Sequence, residues 1–287
     1  MLAFYKNGNY QVTLYPDGTK IKQTEDDFFR ADFPDSIDLK ITNYCDLNCP
    51  MCHEKSTKRG KHANLNQPFL DTLQSGTDLA IGGGNPLSHP EILPFLQNLK
   101  NKGIICNLTV NEKHFLQNKT LLQKLINARL IYGLGISLNV IDEQTLNFAK
   151  KNKNVVFHVI NGLFNGYDKL ANKGFKILIL GYKTFGRGKD YYSKQIADKM
   201  AMEKQNIKRL FNKFKVVSFD NLALEQLDIK SLVSSEEWDS FYMGNDGEAS
   251  MYIDLVKEQF ALSSTTKTRY ALKDDIIKMF KVVNPNK

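Results

Sequence analysis

The sequence predicts an α/β protein built from repeated strand–helix units. Two observations support this: short segments rich in Ile, Val and Leu alternate with stretches of helical period from Ile37 onward, and turn or cap residues mark the changeovers. The strand segments are 38–42, 78–82, 104–110, 132–138, 154–160 and 175–181, with helices expected over 67–75, 90–102, 112–129 and 142–151. Pro90-Glu91 suits a first helical turn and Gly103 a stop. Such alternation indicates a parallel sheet but does not distinguish an open doubly wound sheet from a full or partial β/α barrel.

The two ends read differently. Residues 10–15 alternate in polarity, Pro16-Asp-Gly18 signals a turn and 20–23 supply a return strand, predicting an N-terminal β-hairpin over 1–36. Beyond Gly188 the pattern predicts a long polar helix (190–214), a strand (215–219), a turn (244–247), a further strand (251–256) and a closing helix (273–282). The division is an extension at 1–36, a main domain at 37–220 and a C-terminal α/β extension at 221–287.

Composition places the chain among ordinary globular proteins. Its longest apolar stretch, 175–181, is far short of the roughly twenty residues a bilayer span needs. No basic, apolar, small-residue leader opens it, so the expectation is a cytoplasmic protein without membrane contact. The net charge of +8 and the basic runs at 55–61 and 204–215 suit a polyanion, with nucleic acid as a candidate partner. Lysines on solvated helix faces give the same count.

The strongest chemical signal is Cys45-Asp-Leu-Asn-Cys49-Pro-Met-Cys52, directly after the first strand of the alternating region. Loops at the C-terminal ends of such strands are where α/β folds place ligand sites. Clustered cysteines point to metal rather than disulfides. Structural zinc and most iron–sulfur clusters take four protein ligands, whereas three cysteines leave one position open. A zinc site of three cysteines with His53 or His62 is the competing reading, as part of a zinc-stabilised nucleic-acid-binding module; a conventional electron-transfer cluster lacks a fourth nearby cysteine. Cys106 and His158 fall inside strand segments and read as satisfied core positions.

The C-x3-C-x2-C loop resembles the signature of the radical S-adenosylmethionine (SAM) superfamily, with Met51 where an aromatic residue usually precedes the third cysteine. One strand–helix unit later, Gly82-Gly83-Gly84-Asn85-Pro86 resembles the family's Gly-Gly-Glu-Pro segment, Asn85 replacing the acid. Ser137 and Asn139 match a Ser-x-Asp/Asn pair at the end of the fourth strand, and Leu180-Gly181 a late-strand segment near adenine. A looser likeness, through residues 52–56 and 60–62, is to radical SAM proteins of phages and mobile elements.

The resemblance implies a partial (β/α)6 TIM-like barrel, the C-terminal extension closing the barrel or the substrate site. It implies one [4Fe–4S] cluster on Cys45, Cys49 and Cys52, and SAM held by Met51, Gly82, Gly83, Gly84, Asn85, Pro86, Ser137, Asn139, Leu180 and Gly181. The expected chemistry is reductive cleavage of SAM to a 5′-deoxyadenosyl radical that takes hydrogen from a small-molecule, nucleotide or peptide substrate, with a flavodoxin- or ferredoxin-type reductant. Glu54, Lys55, His62 and Arg187 are substrate candidates. Peptide-modifying relatives often carry a cysteine-rich C-terminal extension; no cysteine follows Cys106, so no auxiliary cluster is expected.

Overall fold

The computed structural model describes residues 1–284. In chain order its elements are β1 (Ala3–Asn7), β2 (Tyr10–Leu14), β3 (Lys20–Gln23), β4 (Ser36–Thr42), β5 (Asp78–Gly83), α1 (Ile92–Asn101), β6 (Ile105–Asn111), α2 (Glu112–Asn127), β7 (Gly133–Ser137), α3 (Glu143–Lys151), β8 (Val155–Ile160), α4 (Tyr167–Leu170) and β9 (Lys176–Leu180). There follow α5 (Arg187–Tyr191), α6 (Lys194–Asn206), β10 (Val216–Phe219), α7 (Asn221–Leu227), α8 (Ser235–Phe241), β11 (Ser250–Asp254), β12 (Gln259–Ala261), β13 (Tyr270–Ala271) and α9 (Ile276–Val283). Among the described residues, no helix is long and apolar enough to cross a membrane.

The main sheet has ten strands in the order β10-β9-β8-β7-β6-β5-β4-β11-β12-β13. Strands β4 to β10 pair in parallel with their sequence neighbours, and β11 adds in parallel on the free side of β4. The C-terminal strands therefore widen the sheet beyond β4, and β10 and β13 remain its two edges. Alternate residues such as Leu79, Ile81, Leu108, Val110, Phe157 and Ile177 are buried in the core with Phe95, Leu96, Phe115 and Leu122 of the helices. Period-2 alternation sends the other set, including Asp38, Ala80, Thr109, Gly135 and His158, to the inner face, away from the helices.

Three expectations need correction. The N-terminal extension is a three-stranded antiparallel meander, not a hairpin, because Ala3–Asn7 pairs along β2 without an alternation that sequence would reveal. Residues 67–75 form one 3-10 turn at Pro68–Asp71, where Phe69 and Leu70 are buried. The long polar helix is broken at Tyr192, where the chain turns extended and Ser193 caps α6 by accepting from the Ile196 N–H.

The meander covers the N-terminal ends of the strands. The Asn154 and Lys176 side chains donate to the Pro16 and Asp17 carbonyls at 2.6 and 2.7 Å. Buried Asp35, just before β4, accepts from Tyr10, Asn7 and Lys22 at 2.6, 2.6 and 2.8 Å.

On α6, burial lifts the Glu203 carboxyl to about 7, although its Oε2 accepts from the Gly162 N–H at 3.1 Å. An acid whose folded value lies above its unfolded one keeps a proton that the unfolded chain releases, so its contribution falls as pH rises from about 4.5 to about 7. Glu203→Gln is expected to melt above the parent protein at pH 8, with the gap closing by pH 5; thermal unfolding across that range measures it.

Candidate active site

The cysteine loop, the glycine segment and the residues Ser137, Asn139, Leu180 and Gly181 lie at the C-terminal ends of the parallel strands. The cysteine loop leaves β4 at Thr42 and is shaped by main-chain bonds: the Cys45 N–H donates to Thr57 O, the Cys52 N–H to Cys49 O and the Lys55 N–H to Cys52 O. All three cysteines are half-buried and free of disulfides. Burial lifts the Cys45 and Cys49 thiols, with neighbouring cysteines adding to the effect. Thiolates here need positive charge among them, which a bound metal supplies.

The glycine segment lies against this loop. The Gly84 N–H donates to Thr42 O at 2.8 Å and the Asn85 N–H to Tyr44 O at 2.7 Å, directly before Cys45. A Cβ on Gly84 would lie 2.1 Å from Tyr44 O, so only glycine fits. At Gly82, by contrast, a Cβ would meet nothing within 4 Å, leaving main chain beside open space at the end of β5. The Asn85 side chain does not face that space freely. It is 9% exposed, and its oxygen accepts from the Leu87 N–H at 3.2 Å, capping the turn that begins at Pro86.

Met51, Asn139 and Ile160 meet in one cavity of about 400 Å³ at the ends of β7 and β8. Ser137 ends β7 beside Asn111 and His158 in register. Leu180 ends β9, but Gly181 is packed under α7: its N–H donates to Asp220 Oδ1 at 2.8 Å, and a Cβ would strike Leu222 at 2.4 Å.

The substrate candidates are largely committed elsewhere. Arg187 grips the cysteine loop: its Nε donates to Cys49 O at 2.9 Å, one terminal nitrogen to Ser56 O at 3.0 Å, and its backbone N–H to Cys52 O at 3.1 Å. A Cβ on neighbouring Gly186 would lie 2.1 Å from His53 O, a second close approach of the same two loops. Glu54 is paired with Lys40 and accepts from the Tyr252 hydroxyl at 3.2 Å. Lys40 is 4% exposed and also reaches Asp254 at 3.1 Å. Burial alone lowers the Lys40 pKa, yet the two carboxylates outweigh it and the net shift is upward. Lys55 is exposed with a φ of 53°, and His62 Nδ1 bonds Thr42 Oγ1 at 2.9 Å.

The histidines proposed for zinc thus face other partners, His53 lying 3.4 Å from Glu54. Zinc–sulfur bonds of about 2.3 Å would draw thiolates to roughly 3.8 Å of one another. Among the described residues, the one group of three metal-capable donors within 4.8 Å of one another is Cys45, Asp46 and His114; the three cysteines do not form such a group. The three thiols are therefore not all as close to one another as a single zinc ion would draw them. The His114–Asp46 contact, 2.6 Å, ties the loop to α2.

Sequence reading passed over Lys40, Asp38 and Lys183. The signal for the first two was present: in Ile37-Asp-Leu-Lys-Ile-Thr42 the polar residues all fall on one face. His158 is not a satisfied core residue. It faces inward from β8 against Gly135, its ring makes no hydrogen bond among the described residues, and burial lowers its pKa to about 4. Cys106 is 1% exposed in the core on β6.

No family model and no curated protein matches the sequence. The fold does match solved structures. SuiB of Streptococcus suis bound to precursor peptide SuiA superposes with a TM-score of 0.57 at 15% identity, covering 90% of this chain and 66% of that one. SuiB bound to S-adenosylmethionine gives 0.55 at 15% identity, covering 90% and 67%. The chain thus spans about two thirds of the length of SuiB, and the likeness is one of fold.

Two outcomes follow from these contacts. Lys40→Met leaves Glu54 and Asp254 buried without their cation and is expected to cost about 3–5 kcal/mol in urea unfolding. Arg187→Ala frees the cysteine loop, so alkylation of Cys49 and Cys52, followed by mass spectrometry, is expected to speed several-fold; Arg187→Lys will not restore the parent rate, because an ammonium lacks the planar fork.

Proposed function

We propose that this chain is a radical SAM enzyme, with Cys45, Cys49 and Cys52 holding one [4Fe–4S] cluster. The observation that carries the reading is the juxtaposition of three free thiols with the Gly82–Gly84 main chain, at the C-terminal ends of adjacent parallel strands. The fold likeness to SuiB, solved with S-adenosylmethionine, supports it. In this reading 37–220 is a partial (β/α)6 barrel with β10 added, and 1–36 and 221–287 are extensions.

When bound, cluster and SAM together supply one-electron cleavage to methionine and a 5′-deoxyadenosyl radical that takes hydrogen from the substrate. The chain's own part is positional. The cysteines bind as thiolates, and Arg187 and Gly84 fix their loop. Main chain at Gly82 and Gly83 faces the amino acid part of SAM, while Met51, Asn139 and Ile160 line a cavity sized for a nucleoside. Gly181 and Asn85 act here through backbone packing and turn geometry rather than as side-chain ligands. A peptide is the favoured substrate class, supported by the precursor peptide bound to SuiB. A flavodoxin- or ferredoxin-type protein is the proposed reductant, and the cytoplasm the proposed location.

The test is anaerobic reconstitution with iron and sulfide, then dithionite and SAM, with 5′-deoxyadenosine measured by chromatography. The expected result is a brown protein that releases 5′-deoxyadenosine, and a Cys45, Cys49 and Cys52 triple alanine variant that does neither. A colourless protein that carries zinc and leaves SAM intact would replace this reading with the zinc-stabilised nucleic-acid-binding module.

A further inference from the structure

The basic run at 55–61 lies against the cysteine loop, yet its charged side chains take no part in holding that loop. Lys55, Lys58, Arg59 and Lys61 are all exposed. None of the four has an ion pair or a side-chain hydrogen bond among the described residues. The other basic run, 204–215, is different: Lys204 lies 3.6 Å from Asp228 and Arg209 3.9 Å from Asp168. The acids nearest to 55–61 in sequence are engaged elsewhere, Glu54 by Lys40 and Asp46 by His114.

Backbone geometry fixes where these charges stand. The Gly60 N–H donates to Thr57 O at 3.0 Å, closing a turn with Lys58 and Arg59 at its corner. Both sides of the turn are fastened to the residues that enter the cysteine loop. The Thr57 N–H donates to Asn43 O at 3.2 Å, the Cys45 N–H to Thr57 O at 2.9 Å and the Asn43 N–H to Lys61 O at 2.8 Å. Gly60 sits so close to Asn43 that a Cβ there would lie 1.8 Å from its oxygen. Lys58 therefore follows directly on the residue whose carbonyl takes the Cys45 N–H. The basic surface is local, because Asp220, Asp246 and Glu248 stand beyond β10 at the far edge of the same end of the sheet, with Lys183 beyond β9.

Four cations without acid partners on one turn select an acidic partner. Strongly salt-dependent nucleic-acid binding makes about 6–10 phosphate contacts, more than four cations supply. Residues 55–61 also lack the aromatic side chains on which bases stack. Electron-transfer complexes bury less than about 1,200 Å² and suit a small charged surface.

We propose that the turn at 57–60, with Lys55 and Lys61 beside it, is the docking surface of the electron donor, a small acidic carrier protein. This rests on the radical SAM reading and sets the donor against the loop that would hold the cluster. One electron leaves the reduced carrier and enters the cluster, which passes from the 2+ to the 1+ state; no bond forms or breaks.

The test compares Lys58→Glu/Arg59→Glu with Lys150→Glu/Lys151→Glu, an equal reversal of charge in the last turn of α3, just before β8 begins at the opposite end of the strands. The probes are an acidic flavodoxin and an acidic ferredoxin. Binding of the oxidised, labelled carriers is followed by fluorescence anisotropy, with the cluster reconstituted and again without it. Reduction of the cluster by the reduced carriers is followed by stopped-flow absorbance, with dithionite as a donor that does not need the turn. The turn reversal is expected to weaken binding of at least one carrier, and to slow its reduction of the cluster, about tenfold at low salt. The α3 reversal is expected to leave both within about twofold. At about 1 M salt, where the screening length falls to about 3 Å, parent and turn variant converge. Reduction by dithionite at the parent rate shows that the turn variant is folded, and Lys55→Glu/Lys61→Glu repeats the comparison from the flanks of the turn. Binding of neither carrier, equal losses in the turn and α3 variants, or turn variants that behave as the parent would overturn the proposal. Loss of oligothymidylate binding in the turn variant, with carrier binding unchanged, assigns the turn to nucleic acid and overturns it as well. A protein that takes up no cluster ends the radical reading and this inference with it. Release of 5′-deoxyadenosine together with any of the other negative results sinks the inference alone.

Discussion

The buried Lys40 ammonium ties three distant parts of the chain to one point. It sits on the first parallel strand, and its carboxylates come from the cysteine loop (Glu54) and from the end of β11 (Asp254). An ammonium taken out of water is tolerated only when its charge is met, and here two acids meet one base. The Tyr252 hydroxyl completes the Glu54 side, and the Leu255 N–H donates to Lys40 O at 3.0 Å. The cysteine loop is thereby fixed to the sheet by charge as well as by its own turns. The C-terminal strand is held on the free side of β4 by the same group, which explains why the extension widens the sheet.

Backbone contacts do the rest of the positioning. Gly60, Gly84, Gly186 and Gly188 each bring main chain so close to another stretch of backbone that a Cβ would lie within about 2.3 Å of a carbonyl oxygen. In three of these contacts the oxygen belongs to Asn43, Tyr44 or His53, in or beside the cysteine loop, and for Gly188 it belongs to Lys183. Arg187, between two of these glycines, then adds its side-chain grip. A loop held through carbonyls keeps its three thiols free to point elsewhere, which a loop held through side chains would not do.

The parallel strands were legible because each buries alternate residues on a helix-covered face, and that pattern survives in sequence; α1, α2 and α3 were legible through caps and period. The cysteine and glycine segments were legible because their chemistry is local. What could not be read was anything depending on distance along the chain. Lys40 and Asp254 are separated by 214 residues. Arg187 looked like an anion ligand because its flanking glycines hinted at a loop, yet the partners of that loop were carbonyls 131 and 138 residues earlier. Residues 67–75 failed as a helix for a related reason: burial of Phe69 and Leu70 on the core fixes one tight turn there, and Gly76 then ends the segment with its N–H on Gly103 O.

Net charge illustrates how an average hides a site. The chain carries +8, yet at β4 and the ends of β9 and β10 two acids, Asp38 and Asp220, stand beside only two lysines, Lys40 and Lys183. Lysines reach water easily because their long stems let the ammonium stay solvated, so a lysine-rich composition fills the outside first. The inside is selected by what it must hold. The same separation appears along the chain: the meander covers the N-terminal ends of the strands through Asn154 and Lys176, while Ser264, Asp246 and Tyr252 reach over the opposite ends. The central strands and their two motif loops build the floor and the proposed cofactor site. Of the two terminal segments, only the C-terminal one stands at the strand ends where the proposed cofactor site lies.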